Sequence, residues 1–170
     1  MKVTTITPDQ FIQGNYMTQT KVIGESVKQT DRNFVKAYTD DYAKAITENY
    51  RQYHIHTLTG NLSGNYPEYA KEQLDAIENG TANLMYFKVY SGRKYYKIVQ
   101  QEYDTFRDRN EYRDASVHAF VDKETGEVYK PAGWAKPAKH VRFDMRDVRQ
   151  LKFLLDPKNV GWAGGYLYMR

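Results

Sequence analysis

The chain has 170 residues, with 25 Lys/Arg against 21 Asp/Glu and no cysteine, which excludes disulfides and thiolate metal sites and points to a reducing compartment. A chain of this length is expected to form one domain whose core needs no covalent staple. No long apolar run follows the N-terminal lysine and none elsewhere reaches membrane-spanning length, so neither a signal peptide nor a membrane contact is expected, and the chain reads as cytoplasmic.

The net charge of +4 is unevenly spread. Residues 1–82 carry 8 Lys/Arg against 10 Asp/Glu and residues 83–170 carry 17 against 11, so the basic character belongs to the second part, where an anionic partner would be met. The 16 tyrosines, with 2 Trp and 7 Phe at a mean hydropathy of −0.81, must fill a core, stack on bases or cover an interface.

Residues 1–30 show no sustained period and are expected to be irregular, with one short strand near 21–24. From Asp31 to Tyr53, Phe34, Tyr38, Tyr42, Ile46 and Tyr50 recur every four residues, flanked by Val35 and Ala45; this predicts an amphipathic helix capped at Thr30 or Asp31. LTGNLSGNYP, residues 58–67, predicts a loop. Pro67 then opens a second helix, where its missing N–H costs nothing, and Asn79-Gly80 closes it after Ala70, Leu74 and Ile77.

Beyond Gly80 the period drops to two. NLMYFKVY (83–90) and RKYYKIVQQEY (93–103), joined by Ser91-Gly92, predict a hairpin, followed by the charged connection FRDRNEYRD (106–114). SVHAFV (116–121) and EVYK (127–130) predict a second hairpin across a turn where Gly126 supplies a positive φ. Pro131 and Pro137 lack ladder donors and are expected to stop the sheet and leave an extended surface loop. Arg146–Leu155 predicts a short helix ended before Pro157, and VGWAGGYLYMR (160–170) a final strand. The expected fold is α+β: about four antiparallel strands in two hairpins, N-terminal helices packed on one face and a short C-terminal helix. After the irregular segment 1–30, residues 31–170 make one domain, with a helical part at 31–80 and a sheet unit at 83–170.

Alternation in the first hairpin places Met85, Phe87 and Val89 toward the core and Leu84, Tyr86, Lys88 and Tyr90 on the other face, where aromatics beside lysines suit a single nucleic-acid strand. A second basic feature is VYKPAGWAKPAKHVRF (128–143), where Lys130, Lys136, Lys139 and Arg142 alternate with Tyr129, Trp134 and Phe143 and no acidic residue intervenes. Its two Lys-Pro-Ala units pin the backbone and leave the lysines to project. Trp134 is expected to anchor this loop with a buried indole; a ring at least half exposed beside Lys136 and Lys139 would make it a stacking platform instead. His54 and His56 suit a metal only if the helix has ended before them, and helix-end histidines are the plainer expectation. No phosphate-binding glycine loop, nucleophile elbow or other cofactor motif is present, so no cofactor is expected.

Residues 116–145, SVHAFVDKETGEVYKPAGWAKPAKHVRFDM, together with GWAGGYLYMR at 161–170, resemble a widespread group of small uncharacterised proteins of tailed bacteriophages, over roughly residues 85–170. Many of those proteins carry Arg-Gly-Asn where this chain reads Arg142-Phe143-Asp144. The resemblance implies a phage origin and action in the cytoplasm of an infected bacterium, and brings no activity, cofactor or site. The function expected from the residues is non-enzymatic binding of single-stranded DNA or RNA, with Lys130, Lys136, Lys139, Arg142 and Lys88 on phosphates and Trp134, Tyr129 or a sheet tyrosine on bases. The alternatives are a protein-interaction module, acting as an inhibitor of a host protein or as a small virion component, and a metal-dependent nuclease built on His118, Asp122 and His140.

Overall fold

A computed structural model describes residues 25–168, with side chains described from residue 33 onward. The strand expected near 21–24 lies outside the described residues, and residues 25–30 are already helical. Helix α1 runs Glu25–Asn61, so Thr30 and Asp31 lie within it and do not cap it. Its stripe of Phe34, Tyr38, Tyr42 and Ile46 is buried as the four-residue spacing requires. The helix also continues past Tyr53, because Leu58 closes a small apolar cluster with Ala70 and Ile77 that Ile55 and Leu74 extend. Thr57 and Thr59, weak helix formers, donate their hydroxyls to the carbonyls of Tyr53 and Ile55 at 3.0 and 2.8 Å. Helix α2 (Pro67–Glu78) begins at the expected proline and ends at Asn79, followed by Gly80 at φ +71.

The sheet is a five-stranded antiparallel meander in the order β1 (Tyr86–Ser91), β2 (Tyr95–Asp104), β3 (Glu111–Asp122), β4 (Glu127–Pro131) and β5 (Pro137–Asp144). Both expected hairpins form. In the second, Gly126 sits at φ +72 and its N–H donates to the Asp122 carbonyl at 2.9 Å, while Asp122 Oδ1 accepts from the backbone of Glu124 and Thr125.

The fifth strand corrects the expected loop. Pro131 and Pro137 face each other across the end of a third hairpin, closed by Ala132 N–H donating to the Lys136 carbonyl at 3.0 Å. Proline is tolerated there because one ends β4 and the other is the first residue of an edge strand, so neither is asked for a ladder donor. Helix α3 is Val148–Leu155, N-capped by Asp147, whose side chain accepts from Arg149 N–H at 2.9 Å. The expected C-terminal strand is instead a series of turns ending in a 3₁₀ turn at Gly165–Leu167, bent by Gly164 at φ +79.

Helices α1 and α3 cover one face of the sheet. Phe87, Tyr96, Ile98, Ala119, Val121 and Val128 pack there against the α1 stripe, with Leu151 and Leu154 of α3 and Leu167 of the C-terminal segment. Both sheet edges are partly closed: Phe87 N–H of β1 donates to Thr47 Oγ1 at 3.0 Å, and Asp144 N–H of β5 to Gln150 Oε1 at 2.7 Å. The described residues are an α+β protein whose helices lie on one side, leaving the other sheet face open.

Candidate functional site

The open face is defined by register. Lys88 and Tyr90 of β1 stand opposite Val99 and Lys97 of β2; Lys97 stands opposite Phe120 of β3, and Phe120 opposite Tyr129 of β4. Paired residues of an antiparallel ladder share a face, so one row of aromatics and lysines crosses four strands. Tyr95 meets both Phe120 and Tyr129 edge-on, with centroids 6.0 Å apart in each case. A groove of about 430 Å³ runs along this row, walled by Tyr90, Tyr95, Phe120 and Trp134, with Lys94 and Lys97 on its flanks.

Trp134 is 48% exposed, which corrects the expectation of a buried anchor. The tight β4–β5 turn carries the indole out over the open face, where Lys97 Nζ lies 4.5 Å from the ring centre and donates to the Trp134 carbonyl at 3.2 Å. Lys88 lies 4.9 Å from the Tyr90 ring and Lys94 5.2 Å from that of Tyr95. Each cation rests on an aromatic stem; Lys94 also stands 3.8 Å from Asp122 Oδ2, whereas Lys88 and Lys97 form no ion pair with a carboxylate among the described residues.

The residues singled out by sequence are divided by the structure. Lys88 and Trp134 belong to the open face, while Lys136 and Lys139 are exposed at the turn and on β5. Tyr129 is half-buried and its hydroxyl donates to Glu127 Oε2 at 2.7 Å; burial first, then that carboxylate, raises its phenol well above the ordinary value. Lys130 points away, its Nζ 4.2 Å from the Tyr168 ring at the rim of a second cavity of about 320 Å³ that His118 and Trp162 also line. Arg142 is a clamp on the C-terminal segment: its Nε donates to the Leu167 carbonyl at 2.7 Å and a terminal nitrogen to the His140 carbonyl at 2.9 Å. Stretch 128–143 is therefore not one cationic surface. Among the described residues, Lys130, Lys136, Lys139 and Arg142 form no ion pair with a carboxylate. Lys94, Lys97 and Asp114 were missed in the sequence. The alternation that placed Lys88 and Tyr90 would have found Lys97 once carried across the Ser91-Gly92 turn.

A different polar system lies on the covered face. His118 is the extra residue of a β-bulge between the pairs Ile98–Ala119 and Val99–Val117, and its ring is buried. Its Nε2 meets the Tyr166 hydroxyl at 2.8 Å, its ring also bonds the Trp162 backbone, and the Tyr166 hydroxyl meets that of fully buried Tyr42. Burial pushes the His118 imidazole down to about 4, only partly offset by the Trp162 bond. Asn49 completes the seam by donating to the Pro157 carbonyl at 2.7 Å and accepting from Trp162 N–H at 2.9 Å. His118 thus ties the chain's end to α1. It does not meet Asp122 and His140 in a metal site, and no group of three metal-ligating side chains stands together among the described residues. The helix runs through His54 and His56, and His54 stacks on Tyr50 at 5.7 Å.

The class of molecule so defined is an antiparallel meander with helices on one face and an aromatic, cationic groove on the other. Residues 19–169 match a family of unknown function, DUF7717, and the chain belongs to that family. No curated protein and no solved structure matches it. No helix among the described residues is long and apolar enough to cross a membrane.

Proposed function

We propose that this protein binds single-stranded nucleic acid on its open sheet face and catalyses no reaction. The observation that carries the reading is Lys97 seated over a half-exposed Trp134 on a face that no described helix covers. An aromatic ring offers a stacking surface to any base, and cations beside it meet the phosphates that flank that base. Lys88, Lys94 and Lys97 supply those cations, with Lys136 and Lys139 extending the track along the β4–β5 hairpin. The likeness of residues 85–170 to tailed-phage proteins supports a phage origin and action in the cytoplasm of the bacterial host.

The test is fluorescence polarisation of a labelled single strand across a salt series. Affinity should fall as salt rises, because binding releases counterions, and Lys94→Glu with Lys97→Glu should flatten that dependence while the circular dichroism spectrum is kept. A strand that stays unbound at low salt sinks the reading.

A protein-binding role draws on a different feature. The β2–β3 connection holds Arg107, Asp108 and Asn110 at positive φ, a conformation that Asp and Asn tolerate but that costs energy at Arg107, and residues so held cluster at functional sites. This turn displays Phe106, 61% exposed, with the Arg107 guanidinium 5.1 Å from its ring. A partner that survives nuclease treatment of a lysate and is lost with Phe106→Ser would favour this role.

A further inference from the structure

A carboxylate on a cationic face calls for an explanation, since it repels the phosphates that its neighbours would attract. Asp114 of β3 lines the open-face groove together with Tyr90, Lys97, Phe120 and Trp134. Its Oδ1 accepts from the Tyr90 hydroxyl at 2.8 Å and from the Gln101 side-chain amide at 2.5 Å, and Gln101 is itself buried. Both lone pairs of that oxygen are spoken for, so the carboxylate is held in one orientation. Oδ2 has no hydrogen-bond partner among the described residues and is left with its full accepting capacity. These bonds, that of Gln101 before that of Tyr90, hold the Asp114 carboxyl below its ordinary range, so the acceptor stays ionised.

We propose that the groove takes a guanine base, stacked against Trp134, with Asp114 Oδ2 accepting from the N1–H and N2–H of its Watson–Crick edge. The inference rests on the nucleic-acid reading of the same face and adds a base preference to it. Single-stranded bases are read on their Watson–Crick edges. Guanine alone presents two adjacent N–H donors there. Adenine and cytosine set a ring-nitrogen acceptor beside their amino group, and thymine and uracil flank a single N–H with two carbonyls, so an acceptor-only carboxylate repels part of each of those edges. A volume of about 430 Å³ is on the scale of a small-ligand site, and its aromatic walls suit a planar ring. Lys94 and Arg93 line the same groove, so cations stand beside the base for its phosphates to meet.

The experiment uses the full chain and oligothymidine strands carrying G, A, C or T at one central position, followed by fluorescence polarisation. The G strand should bind about tenfold more tightly than the other three, the scale of one well-placed two-donor contact to a base. Asp114→Asn keeps an oxygen for Tyr90 and Gln101 and replaces Oδ2 by an NH₂ donor; it should abolish the preference while binding to the T strand strengthens with the lost negative charge. Guanosine monophosphate should quench Trp134 fluorescence in the unaltered protein more than uridine monophosphate does, and not in Trp134→Phe, a readout independent of how Asp114→Asn folds. Equal binding of the four strands, or a preference that survives Asp114→Asn, overturns the guanine assignment and leaves general strand binding standing. Failure of every strand to bind overturns both. Guanosine monophosphate bound as tightly as the G strand would keep the guanine assignment and overturn the strand as its source.

Discussion

The two faces of this sheet are built from the same five strands, often from neighbouring residues, and differ in what covers them. Ile98 and Lys97 are adjacent in β2: one is fully buried beneath α1, the other lies over the Trp134 ring. On the covered face the polar groups His118, Tyr166, Tyr42 and Asn49 are joined to one another or to backbone, since an unmet donor there would be costly. On the open face Lys88, Lys97 and Asp114 Oδ2 are left with capacity to spare, while Lys94 stands 3.8 Å from Asp122 Oδ2. Stability is concentrated on one side of the pleat and the proposed recognition on the other, so substitutions one residue apart should separate them.

The largest effect is expected at the covered side. Ile98→Ala should destabilise by about 2–5 kcal/mol, through lost burial and the cavity left behind, whereas Lys97→Ala should stay within about 0.5 kcal/mol. Denaturant melts of the two variants check this directly, and equal losses would break the distinction between the faces.

Acid should act through the same side. His118 titrates at about 4 in the folded protein against an ordinary 6.5, so the neutral ring is compatible with the fold at both ends of the neutral range. As pH falls from about 6.5 to about 4 the unfolded chain takes up a proton that the folded chain refuses, and about 3 kcal/mol of stability is lost across that window. His118→Asn, even if less stable overall, should show a flatter dependence of its unfolding free energy between those pH values. Next in size is Asn49→Ala, which leaves the Trp162 N–H and the Pro157 carbonyl without their partner and should cost about 1–3 kcal/mol by thermal or chemical unfolding.

Trp134→Ala sharpens the comparison from the other side. Its effect on stability should stay within about 0.5 kcal/mol, because the indole is half exposed at a hairpin tip. Strand affinity should nevertheless drop by about 1–3 kcal/mol, the usual worth of one base–aromatic stack, as polarisation would show. A large loss of stability would mean that the ring serves the fold and not the face.

Much of the architecture was legible because its causes are local. The α1 stripe, Pro67 at the first turn of α2, Gly126 in the β3–β4 turn and the inward set Met85, Phe87 and Val89 all follow from spacing or backbone freedom within a few residues. The candidate site was legible only in part: Lys88, Tyr90 and Trp134 were in view, but Lys94, Lys97 and Asp114 join them through pairing between strands. Lys130 and Arg142 looked equivalent to Lys136 and Lys139 in the sequence, yet one lies over Tyr168 and the other holds the Leu167 carbonyl.

What the amino-acid sequence determined by itself is the identity of each local element and which of its residues alternate toward the core, since helix and strand periods are properties of neighbouring residues. Tertiary structure alone decided that two prolines could end one strand and begin the next, that bulges at His118 and Ala115 would shift the β2–β3 register, and that Trp134 would be turned out over Lys97. The physical reason is that a strand's partner and its register are chosen by distant residues competing for the same ladder. A one-residue shift there changes which side chains share a face without altering the local sequence at all.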